Sequence, residues 1–405
     1  MRKLKKFNSN KITIICMILL ISLFSIFTPM ATFCVESSTV EISEDLNNSI
    51  IEELNEIDFS GLNGIVEEFQ NSSTNIFSIE NIKSKIYSII SGENAVSFSS
   101  FFASIFSIFL ELIVKYLPML SLIVAIGVIS NLLNGIKSKF NEKSTSGLIH
   151  LVCFLAVVVL TIGMISSISK TSVNSINSMV SQMNAIFPIL LTLMIGIGAS
   201  ASAGVFKPIV AIISTYVADF FTYLILPLFM ASFVFGIINN LSDSIKLDKF
   251  NSFISSLFKW CVGLVFTLFF AVFTIQGISA GTFDSLSIRT TKYTIKSYIP
   301  IMGGYLSDGM DLILSSTILI KNAVGLVGVL MIISTILSPL LEIVVFSLLL
   351  KLASAILQPM GNNKTSNFLM STSKSITMLS TCIIAVGFMY LISVGLVMTT
   401  SNVVM

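Results

Sequence analysis

Residues 312–337 read LILSSTILIKNAVGLVGVLMIISTIL, twenty-six residues with one charged side chain, Lys321. As an α-helix this stretch rises about 39 Å, enough to cross the roughly 30 Å hydrocarbon core of a bilayer. Similar apolar stretches occupy 112–133, 148–168, 186–206, 208–238, 260–278, 340–357 and 376–398. Hydrophobic residues make up 54% of the 405-residue chain and charged residues 11%, against about a quarter charged in ordinary globular proteins. A water-soluble protein of this length needs more polar surface than that. The expected fold is an all-α polytopic membrane protein with about eight transmembrane helices.

Several boundaries follow from local composition. Residues 169–184 are polar on average but place Val173, Ile176, Val180 and Met183 on one side, as an interfacial helix would. Residues 196–204 form a tract of small side chains that lets helix backbones approach closely. Pro227 interrupts 208–238, which reads as one kinked helix or as a span followed by a broken half-helix. Residues 279–311 read as a polar loop.

The N-terminus differs in kind. Arg2, Lys3, Lys5, Lys6 and Lys11 precede an apolar run at 12–27, the layout of a secretory signal. Residues 1–34 are assigned to that signal, with cleavage expected. Phe33 before Cys34 is a poor fit to lipid attachment. Residues 35–100 then hold twelve acidic residues and two basic ones, Lys83 and Lys85, a net charge of −10. Leu46, Ile50, Leu54 and Ile57, then Leu62, Ile65, Val66 and Phe69, recur at helical spacing. This segment reads as two or three amphipathic acidic helices outside the cytoplasm, either packed on the membrane domain or offered to a partner. Residues 101–405 form the membrane domain. With residue 35 outside, the loops assigned to the cytoplasm hold nine Lys or Arg and the outer loops four, in agreement with the positive-inside rule.

Little in the chain resembles catalytic equipment. His150 stands alone. Cys16, Cys34, Cys153, Cys261 and Cys382 have neither metal-site nor disulfide spacing. No phosphate-binding glycine loop is present, and the basic residues are too dispersed for nucleic acid. The expectation is a protein that is not an enzyme and has no cofactor. Candidate functional positions are instead ionisable residues placed inside apolar stretches: Asp219, Lys321, Glu342 and Lys351. A charge at the bilayer centre costs at least about 2.5 kcal/mol, so each should face a partner or water. They either pair with one another, snorkel to the interface, or line a polar path or helix contact. Glu111 and Lys115 are spaced to pair on one helical face. A shift of 112 residues aligns Ser175 with Ser287 and Pro188 with Pro300. The match reads either as chance similarity between apolar helices, which the unequal gaps from Pro188 to Pro208 and from Pro300 to Pro339 favour, or as a faint internal repeat that would suit an autonomous secondary transporter of a small solute.

The C-terminal half carries a more specific pattern. TIQGISA at 274–280, SIRTTKY at 287–293, IPIMG at 299–303, LIKNAVG at 319–325 and KLASAILQPMG at 351–361, with Pro188, Gly204, Pro208 and Pro227 upstream, resemble the stage III sporulation protein AE family of endospore-forming bacteria. The resemblance implies a membrane subunit of a multi-protein, channel-like complex. The mother cell makes this subunit, and the complex joins a forespore-membrane partner across the intermembrane space after engulfment. The implied partners are other sporulation stage III membrane proteins, and the implied location is the mother-cell membrane around the forespore. The family supplies no catalytic residues to carry over.

Overall fold

The computed structural model describes residues 44–70, 82–92, 98–137, 143–241, 247–298 and 303–400. The expected signal, residues 1–34, lies outside them. The described residues are helical: α1 (Glu44–Glu56), α2 (Ser60–Gln70), α3 (Ile82–Ile90), α4 (Phe98–Lys137), α5 (Lys143–Gly196), α6 (Ser200–Phe220), a π-helical turn (Phe221–Ile225), α7 (Leu226–Leu241), α8 (Asp248–Tyr298), α9 (Gly303–Leu357) and α10 (Asn363–Thr399). The chain is an all-α multi-pass membrane protein.

Among the described residues, six helices are long and apolar enough to cross a membrane, rather than about eight. The second and third expected spans are one helix, α5, and the sixth and seventh are another, α9. The polar stretch at 169–184 does not break α5, and two of its hydroxyls turn back onto the backbone. Thr171 donates to the Ser167 carbonyl (3.2 Å) and Ser172 to that of Ile168 (2.8 Å). Pro339 lies inside α9 and Pro188 inside α5, a position that membrane helices tolerate when neighbours satisfy the freed carbonyl. The chain breaks instead within the small-residue tract, at Gly198 (φ +82°), a backbone angle that glycine adopts without penalty. Residues 279–298, expected as loop, continue α8.

Pro227 does not split its helix. The π-helical turn lies just before it and contains Tyr223, four residues upstream, whose carbonyl the proline ring would otherwise strike. The 112-residue repeat does not survive: the counterpart of the 197–199 break is 309–311, which lies inside α9.

Helices of 54, 51 and 55 residues are about 77–83 Å long, far longer than a bilayer is thick. Side-chain contacts show how they align. α4 and α9 run parallel: Phe101 packs on Leu337, Tyr116 on Val345 and Leu349, and Gly127 faces Leu357. α10 runs back along α9. Ser354 and Ser366 each donate to the other's carbonyl at 2.9 Å, Ser373 donates to the Ser347 carbonyl at 3.1 Å, and Gly325 faces Met398. α5 also opposes α9, with Gln182 donating to Thr335 at 2.7 Å and Gly196 beside Thr317. α9 and α10 are the centre of the bundle. In each, 67% of the most apolar window is buried, against 17% in α4.

The acidic segment joins this body. α1 and α3 pack on α9 and α2 on α5. Their apolar faces (Ile50, Leu54, Phe59, Leu62, Val66, Ile82, Ile86) enter the same core as the long helices, which is why those residues recur at helical spacing. Glu52, Glu56, Asp58 and Glu67 point outward.

Candidate functional site on helix α9

Two polar centres sit on α9, one at each level. The upper one lies under the acidic segment. Glu53 of α1 accepts hydrogen bonds from the hydroxyls of Ser316 (2.8 Å) and Thr317 (3.1 Å to each carboxylate oxygen), and Ser49 reaches Ser316 at 3.2 Å. Burial pushes the Glu53 carboxyl above its ordinary range. The two hydroxyls oppose that shift, and neighbouring Glu56 adds to it. Lys321 follows Thr317 by four residues, one turn along the same helix, and is fully buried. At the same level Asp284 of α8 is buried and caps α6. It accepts from the backbone N–H of Ala201 (3.1 Å) and of Ser202 (3.1 Å), satisfying donors that a helix start leaves free.

The lower centre joins α4 to α9. The Tyr116 hydroxyl donates to buried Glu342, and Lys115 Nζ stands 3.6 Å from the same carboxylate and 5.2 Å from the Tyr116 ring centre. The candidate span of α4 is Phe101–Leu133, 33 residues. A bilayer core takes about 20 residues, and every 20-residue window of that span contains Lys115 and Tyr116. Glu342 therefore lies level with the middle of that candidate span, with a hydroxyl and an ammonium to meet it.

The four positions expected from sequence are not gathered together. Lys321 and Glu342 are 21 residues apart on one helix, about 31 Å, so they cannot pair. Phe101, the first residue of the α4 span, is level with Leu337, and Lys321 lies about 24 Å beyond that level. Lys321 thus belongs to the part of the bundle beneath the acidic segment. Lys321 and Glu342 both fall within the candidate span Gly309–Leu357 of α9, at levels about 31 Å apart. Asp219 is exposed on α6, two residues before the π-helical turn, and Lys351 is half-buried near the end of α9. The expected Glu111–Lys115 pairing gives way to Lys115–Glu342. Tyr116, Ser316, Thr317 and Asp284 carry no local signal in the sequence, because their partners lie 82 to 264 residues away.

Among the described residues, Cys153, Cys261 and Cys382 are free thiols, and no group of three His, Cys, Asp or Glu could hold a metal ion. The side chain of His150, like Cys16 and Cys34, lies outside the described residues.

The family model for stage III sporulation protein AE matches residues 80–401. The stage III sporulation protein AE of Bacillus subtilis (strain 168) is 23% identical over 326 residues, covering 80% of this chain and 82% of that protein. No solved structure matches. The matched residues take in α4 to α10 whole, including both partners at the lower polar centre, and on this ground the chain belongs to the stage III sporulation protein AE family.

Proposed function

We propose that this protein is a membrane subunit of the complex that connects mother cell and forespore after engulfment, acting as its scaffold or as a conducting component. It is seated in the mother-cell membrane around the forespore and does no chemistry of its own. The observation that carries this reading is the acidic segment docked on α9 through Glu53, Ser316 and Thr317. Together with the outlying parts of α5, α8 and α9 it builds a helical platform well beyond the α4 span. An N-terminal signal would deliver this platform to the outer side of the membrane, into the intermembrane space. There its outward Glu52, Glu56 and Glu67 face the other stage III membrane proteins and the forespore-membrane partner. Large exposed apolar side chains at the other level include Phe102, Phe106 and Leu110 on α4, Val152 and Val159 on α5, and Trp260 on α8. That belt is where lipid would sit.

The test is purification from sporulating cells. The wild-type chain should co-purify with other sporulation membrane proteins. The triple charge reversal Glu52→Lys, Glu56→Lys, Glu67→Lys should reach the membrane in normal amount yet lose those proteins and spore yield. A chain that purifies alone, moves solute when reconstituted alone and tolerates the reversal would sustain the secondary-transporter reading instead.

A further inference from the structure

Among the described residues, four large aromatic side chains with a polar tip are exposed: Tyr216, Tyr223, Trp260 and Tyr293. Three of them share one band of the bundle. From the break at Gly198, α6 runs in the direction of α9, and the Ser214 carbonyl accepts from the Tyr390 hydroxyl (3.0 Å). Gly387, three residues before Tyr390 on α10, faces Ile336 of α9, next to the Leu337 on which Phe101 packs. Tyr216 and Tyr223 lie two and nine residues past Ser214, so they straddle the level at which the α4 span begins. Trp260 enters the band from α8. It stands six residues, about 9 Å, from Phe266, which stacks on Phe388 beside Gly387. Tyrosine and tryptophan collect where the apolar interior of a bilayer meets its headgroups.

Asp219 lies between the two tyrosines. Tyr216 is three residues before it and Tyr223 four after, the spacings of neighbours on a helix face. Asp219 is exposed, and the tyrosines are 68% and 76% exposed. Helical side chains lean toward the N-terminus, which tips Tyr223 toward Asp219 and Asp219 toward Tyr216. Among the described residues, neither a cation nor a hydrogen-bond donor meets this carboxylate. A carboxylate between two aromatic rings is an arrangement that holds an ammonium group, by charge and by cation–π attraction. The tyrosine hydroxyls remain as donors to a phosphate.

We propose that Tyr216, Asp219 and Tyr223 form a seat on α6 for a phospholipid headgroup that bears an ammonium, as phosphatidylethanolamine does. Charge complementarity selects the ammonium. The level of the band selects a lipid as its bearer, because headgroups fill the boundary at which these side chains stand. The inference rests on lipid surrounding the α4 span and is independent of the complex proposed above.

Two measurements on the full-length protein test it. Trp260 is the one tryptophan of the chain, so its fluorescence reports the level of the band in vesicles of phosphatidylethanolamine and phosphatidylglycerol. Lipid brominated near the headgroup should quench it more than lipid brominated at the chain end. In detergent, native mass spectrometry should show the wild type retaining phosphatidylethanolamine over phosphatidylglycerol by roughly fivefold. Asp219→Asn should bring that ratio close to one, as should Tyr216→Leu combined with Tyr223→Leu, while Asp219→Glu should preserve it. Unchanged Trp260 quenching shows that each variant is still folded in the membrane. Quenching mainly from the chain end overturns the boundary. A wild type without headgroup preference, or a preference indifferent to Asp219→Asn, overturns the seat. A crosslink from Asp219→Cys to another protein in native membranes gives the position to a partner helix and overturns it as well.

Discussion

Phe101 packs on Leu337, and that contact sets the depth of every polar group on α9. It places Glu342 beside the α4 span and leaves Lys321 about 24 Å beyond it. A membrane-impermeant thiol reagent applied from the side that bears the acidic segment should therefore label Ile313→Cys. Exposed Val344→Cys and Leu348→Cys on the same helix should stay shielded by lipid. The reverse pattern would place the bilayer at the wrong end of α9. In the same frame, Lys321→Ala should reduce spore yield far more than Lys364→Ala, since only Lys321 is buried. Near-normal yield from both variants would count against it.

Glu53 makes attachment of the acidic segment sensitive to pH. Its docked carboxyl binds a proton more readily than the free one, whose ordinary value is 4.5. Docking is then strongest below 4.5 and weakens as pH rises through that value toward the raised one. Protection of α1 against hydrogen exchange, taken relative to the base-catalysed intrinsic rate at each pH, should be greater near pH 4 than near pH 7. Glu53→Gln keeps an acceptor for Ser316 and Thr317 without the charge, so it should raise protection at neutral pH and flatten the dependence. An α1 equally protected at both pH values in the wild type would rule this out.

The lower centre predicts an asymmetry between its two members. Tyr116→Phe removes the hydroxyl and leaves Glu342 buried with Lys115 alone, a loss of about 1–3 kcal/mol. Replacing Glu342 by Leu strands both the buried Tyr116 hydroxyl and the Lys115 ammonium, and should cost more. Thermal unfolding in detergent orders the two variants. A Glu342→Leu protein more stable than Tyr116→Phe would contradict this account of the pair.

Gly387 is a close-approach position on α10. A Cβ there would overlap the Ile336 side chain on α9, whereas one at Gly395 would meet nothing. Gly387→Ala should destabilise by about 1–3 kcal/mol through overpacking, and Gly395→Ala should be neutral or mildly stabilising. Equal unfolding midpoints for the two variants would show that α9 and α10 give way more readily than their burial implies.

The helical class, the acidic segment and its apolar faces were legible in the sequence, because they rest on composition and on the spacing of Ile50, Leu54, Leu62 and Val66. Span boundaries were less so. Hydropathy falls at 169–184 and at Pro339, but a hydroxyl bonded to a carbonyl one turn back, or a proline inside a packed bundle, costs a helix too little to end it. The packing of Lys321 was not legible. It lies within an apolar run in sequence, and nothing in that run shows that it packs under α1 and α3. Tyr116 and Glu342 are 226 residues apart, so no local pattern could have joined them.

The burial of α9 and α10 has a consequence for biosynthesis. The two helices that fill the middle of this protein follow α4 to α8 in the chain, and residues 358–362 connect them. Helices α4 to α8 therefore leave the ribosome before the pair that covers their inward faces. A nascent chain stalled before residue 303 would hold every outer stave and no centre.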